Sequence, residues 1–64
     1  MTIVRITWWN EKDGLEYNTD FPYDTHDPQY AMMRAVVDYL HEIHDECCEL
    51  RMVQLIANKA WFVA

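Results

Sequence analysis

The sequence predicts an α+β fold of the order ββαββ: an antiparallel four-stranded sheet with one long helix packed across one face. Two observations carry this. Apolar residues recur at the helical period from Pro28 to Cys47, and on either side of that stretch they alternate with polar ones at the strand period. The 64 residues make a single domain, 1–64, with no repeat, low-complexity segment or linker.

The helix comes first because its pattern is the longest. At about 100° per residue, Tyr39, Met32, Ile43, Val36, Cys47, Leu40, Met33 and Val37 fall on one arc, with His44 among them. Arg34, Asp38, Asp45, Glu42 and Glu46 fall on the other side. An arc that wide suits a helix lying on a sheet. Asp27 can cap the free N–H groups at the start, and Pro28 fits the first helical position, where its missing N–H costs nothing. No Gly or Pro interrupts the stretch. No Gly follows it either, so the exit near Cys47 or Cys48 is expected to be irregular.

Residues 2–9 are β-rich, with Val4, Ile6 and Trp8 alternating against Arg5, Thr7 and Trp9. The first three are the expected core face, and Trp9 points away from it. Residues 10–14, Asn-Glu-Lys-Asp-Gly, form a turn in which the chain's one Gly supplies a positive φ. Residues 15–21 form the second strand, with Leu15, Tyr17, Thr19 and Phe21 on one face. Residues 49–56 form a third, with Leu50, Met52 and Ile56 expected on the core face and Arg51, Val53 and Leu55 on the other. Residues 57–60 turn, and Trp61, Phe62 and Val63 pair back as a short fourth strand.

One helix covers one side of a sheet. Trp9, Val53, Leu55 and either Trp61 with Val63 or Phe62 are therefore left for the outer face, where a contiguous apolar patch would mark an interface. A homodimer through the open sheet face or an edge strand is its simplest form. The blander reading is that alternation is imperfect and these residues cover the sheet's own edges.

The net charge is −6. That argues against direct nucleic-acid binding, which needs Lys and Arg, and suits a basic or nucleic-acid-binding protein partner. Solubility alone also explains such a charge. Asp38, Glu42, Asp45, Glu46 and Glu49 are expected as a carboxylate stripe on the exposed helix face, opposed by Arg34 alone. The late carboxylates sit badly against the helix dipole, so a partner would explain their placement. A solvated face is the plainer account.

Chemistry finds less support. His41, His44 and Cys48 share one helix edge at spacings of three and four, and those types bind Zn²⁺. A fourth ligand would have to come from His26 or Asp45, and adjacent cysteines match no standard metal spacing. The reading is accordingly no metal and no cofactor. A Cys–His nucleophile lacks a Gly-rich elbow and a cleft, and one Gly cannot build a phosphate loop. The chain is read as non-enzymatic. Two adjacent cysteines and no signal-like N-terminus point to a reduced, cytoplasmic protein, and no apolar run reaches the ~20 residues of a membrane span.

In outline, the N-terminal hairpin (Ile3 to Phe21), the single helix (Pro28 to Cys47), the C-terminal strands (Leu50 to Val63) and the acidic charge resemble the small inhibitors made by bacteriophages. These include anti-CRISPR proteins, inhibitors of host RNA polymerase and phage antitoxins. The resemblance covers the whole chain and carries no motif. It implies a stoichiometric binder in the host cytoplasm that blocks a defence or nucleic-acid-handling protein through the acidic helix face or the aromatic sheet face. The alternative is a self-associating module, a homodimer without an inhibitory role.

Overall fold

Val4, Ile6 and Trp8 do lie on one face of a strand, and the helix lies across them. The computed structural model describes residues 1–58, in the order β1 (Thr2–Asn10), β2 (Leu15–Tyr23), α1 (Pro28–Glu42) and β3 (Cys48–Asn58). The strands form one antiparallel sheet of order β2-β1-β3, so β1 is central. The helix carries the chain from the β2 edge, over β1, to the β3 edge.

The β1–β2 turn follows the expected chemistry. Asn10 Oδ1 accepts from the Lys12 N–H at 2.9 Å, and Gly14 holds φ at +67° while its N–H reaches the Asn10 carbonyl. Asp27 caps α1 by accepting from the N–H groups of Gln29 and Tyr30 at 3.0 and 3.3 Å.

Val4 and Ile6 are fully buried against Ala31, Ala35 and Tyr39, which follow one another at four-residue spacing down one stripe of α1. Trp8, Phe21, Tyr23, Met32, Val36, Ile43 and Val53 close around them. The two alanines let the helix backbone come down on β1. Trp8 stacks on Tyr17 with ring centroids 4.8 Å apart, and its indole N–H donates to Thr19 Oγ1 at 3.1 Å. A half-buried Trp thus keeps its polar group satisfied.

The helix is shorter than the periodicity suggests, ending at Glu42 rather than Cys47. Ile43 leaves helical geometry (φ −120°, ψ −46°), and the N–H groups of Ile43 and His44 both fold onto the Tyr39 carbonyl. Asp45 Oδ1 then accepts from the Cys47 N–H at 2.8 Å, and the Asp45 carbonyl accepts from Cys48. An Asp that bonds the backbone two residues on offers the chain an alternative to the helix.

The third strand departs from simple alternation. Its pairing with β1 runs Ile3↔Ala57, Val4↔Leu55, Ile6↔Val53, Thr7↔Met52 and Trp8↔Leu50, with irregularities at Ile3/Val4 and Thr7/Trp8. Ile56 and Arg51 are the extra residues, and each bulge shifts the alternation by one. Val53 and Leu55 therefore stand on the helix side, beside Ile6 and Val4, and Met52 on the outer side, which reverses the expected assignment. Leu15, expected in the core, is 55% exposed at the open end of β2. Ala57 and Asn58 continue β3 instead of turning. The expected fourth strand, with Trp61, lies outside the described residues.

Candidate functional site

The expected carboxylate stripe does not assemble on one face. Asp38 is half-buried and accepts from the Tyr23 hydroxyl at 2.5 Å, with the Arg34 guanidinium 3.5 Å from its other oxygen. Because α1 stops at Glu42, Asp45, Glu46 and Glu49 leave the helix altogether. Asp45 spends its carboxylate on the following turn. The Cys47 N–H holds its pKa below the usual carboxylate range, with help from Cys48, Lys12 and His44. Glu49 sits on β3 opposite Trp9, 3.4 Å from Arg51 Nε. Glu42 and Glu46 are exposed.

On the outer sheet face Trp9 is where the alternation places it, with Arg5 and Thr7. It is half-buried, and the Arg51 guanidinium lies 5.3 Å over its ring. Around it the face is a ladder of paired polar groups. Arg5 Nε and Nη2 bond Asp20 at 2.8 and 3.0 Å, and Thr7 Oγ1 bonds Asn18 Oδ1 at 2.8 Å. With Val53 and Leu55 on the other side, the expected residues among the described ones build no contiguous apolar patch on this face.

His41, His44 and Cys48 are not brought together. His44 Nδ1 is 3.2 Å from the Tyr39 hydroxyl, and Cys48 Sγ is directed at the Ile43 carbonyl, 3.8 Å away. His41 is exposed on α1. Among the described residues no group of three or more His, Cys, Asp or Glu could hold a metal ion. Both cysteines are free thiols, and burial pushes the Cys48 thiol pKa up. A raised thiol is a poor nucleophile near neutral pH. No helix among the described residues is long and apolar enough to cross a membrane.

What the structure does assemble is a surface along β3. The two sheet edges differ in charge. Of the 11 acidic residues, Asp13, Glu16, Asp20, Asp24 and Asp27 fall in or beside β2, whose edge also carries Pro22. Charge and Pro are the usual guards of an edge strand. From Leu50 to Asn58, β3 carries a single charged side chain, Arg51. Next to this edge lies a flank of α1 that no other element among the described residues covers. Asp38 faces β2, as its bond to Tyr23 requires. Relative to the buried Ala35, helical geometry turns Met32, Val36, Leu40 and Met33 about 60°, 100°, 140° and 160° the other way, towards β3 and then solvent. Met33 is 59% exposed and Leu40 49%, and on β3 Leu55 is 41% and Leu50 37% exposed. The sequence signal was present in the apolar arc of α1, which is wider than a three-stranded sheet can cover.

Compared with protein-family models, curated proteins and solved structures, the chain matches none of them. The surface along β3 therefore has to be interpreted from its own chemistry. Among the described residues it offers backbone hydrogen-bonding groups along one edge and apolar side chains beside them. Such a surface holds an extended segment better than a small molecule or a reacting group.

Proposed function

We propose that the chain is a non-enzymatic protein-binding domain, and that it takes its partner along the β3 edge and the adjoining flank of α1. The observation that supports this is the asymmetry of the edges. The β2 edge is guarded by carboxylates and Pro22, whereas β3 from Leu50 onward carries only Arg51 and lies beside the exposed Met33, Leu40, Leu50 and Leu55. A strand added there would gain main-chain hydrogen bonds, with alternate side chains entering the apolar flank to set specificity. An inhibitor of the phage type is one form of such a domain, acting by occupying a surface on its target.

Position-specific photo-crosslinking in bacterial cells tests the reading. A photoreactive residue at Leu55 or Met33 is expected to give a discrete crosslinked species, and one at Asn18 on the outer sheet face is not. Absence of any product from Leu55 and Met33, or equal yield from Asn18, overturns it.

A further inference from the structure

We infer that the occupant of this surface is a second copy of the chain. Two β3 strands pair antiparallel about a two-fold axis beside Val53, the middle residue of Cys48–Asn58. The two sheets then become one, with both helices on the same side. The inference rests on the protein-binding reading above and names its partner.

Charge selects this edge for self-contact. A chain of net charge −6 cannot meet its own copy through most of its surface without opposing carboxylates. The β3 strand contains one acid, Glu49, and one base, Arg51, so its own charge sums to zero. The acidic residues Asp13, Glu16, Asp20, Asp24 and Asp27 belong to the β2 side of the sheet and stay far from the axis. A strongly basic partner would find little on β3 to pair with. A near-neutral strand with apolar residues on its helix side fits, and β3 is itself such a strand, through Leu50, Val53 and Leu55.

The area is sufficient. The 11 residues of β3 make an edge of about 37 Å. With the 14 Å smallest extent of the molecule as its height, the contact is at most about 500 Å² per copy, and the pair comes up to the roughly 1,000 Å² expected of a biological interface. The two-fold also brings the β3-facing side of α1, at Val36 and Leu40, towards its copy across the joined sheets. An open apolar flank on each copy becomes the centre of the interface, where binding energy concentrates.

Sedimentation of the full chain tests this. The expected species has twice the monomer mass of 7.7 kDa. Leu55→Lys and Leu40→Lys are each expected to weaken the dimer by roughly thirtyfold or more, with an unchanged circular dichroism spectrum, while Met52→Lys on the outer face leaves it intact. Leu40 is the more exposed of the two, so its variant remains informative if Leu55→Lys unfolds. A wild-type monomer at about 100 µM overturns the inference, as does a dimer that survives both substitutions. The crosslinks separate the two failures. A Leu55 crosslink to a different protein keeps the binding reading and rejects the second copy. A Leu55 crosslink within one chain, to residues 59–64, makes that segment the occupant and rejects both. No crosslink at all also rejects both.

Discussion

Tyr23, at the end of β2, donates its hydroxyl to Asp38, in the middle of α1, at 2.5 Å. The bond ties the helix to the strand it covers least, since α1 packs over β1 and β3. It also converts Asp38 from a surface charge into a structural acceptor, with Arg34 supplying a partial countercharge one helical turn away.

Tyr23→Phe keeps the ring and removes the donor. A hydrogen bond to a charged group in a half-buried site is worth about 1–2 kcal/mol. The variant is expected to lose that much stability in urea, with no change in the slope of the transition. In a double-mutant cycle with Asp38→Ala the two losses should fall well short of adding. Additive losses would mean that the pair is not coupled.

The bulged register of β3 makes a sharper prediction, because plain alternation gives the opposite one. Val53 packs against the core beside Ile6, and Met52 is exposed opposite Thr7. Val53→Ala removes two partly buried methyl groups and should cost about 1 kcal/mol, while Met52→Ala should be close to neutral. Thermal unfolding of the two variants decides it, and a larger loss from Met52→Ala would restore the unbulged pairing.

The same strand shows what was legible in the sequence. The identities of the first three strands and of the helix, the turn at Asn10–Gly14, the Asp27–Pro28 start and the core face of β1 follow from local pattern and local hydrogen bonding. The bulges do not, because they depend on which residues of β3 meet β1 across a long connection. The helix end was hidden for a similar reason. Asp45 looks like one more carboxylate on a helix face until its oxygen is seen bonded to the Cys47 N–H. The alanines at 31 and 35 carry little weight in an apolar pattern, yet they mark the line of closest approach. The charge difference between the two edges was readable in the sequence, but it acquires meaning only once β1 is known to be central.

That line of approach can be tested directly. Ala35 is fully buried against the sheet. Ala35→Leu must push α1 away from β1 or force neighbouring side chains from their preferred rotamers, at a cost of about 1–3 kcal/mol. Met33→Leu, on the open flank, is expected to leave the unfolding midpoint unchanged. An Ala35→Leu variant as stable as wild type would show room between helix and sheet.

Stability should fall at both ends of the pH range, for separable reasons. The Arg5 guanidinium holds the Asp20 carboxyl below its usual pKa, and the Cys47 N–H does the same for Asp45. A group depressed in the folded state adds stability that is present above its unfolded pKa, about 4, and is lost as pH falls through the folded value. The unfolding midpoint should therefore drop below about pH 4, and Asp20→Asn or Asp45→Asn should flatten that drop. The Asp20 share should shrink in about 1 M salt because its ion pair is exposed, whereas the backbone bond of Asp45 is screened less. Tyr23 works in the other direction. Burial and the Asp38 carboxylate raise its hydroxyl pKa. Its contribution is complete below the unfolded tyrosine value, about 10, and is lost as pH rises towards the folded one. Thermal melts of wild type and Tyr23→Phe above about pH 10 should converge, because the variant has no hydroxyl to ionise. If the two curves instead stay parallel into alkali, the Tyr23–Asp38 bond does not control the alkaline limit.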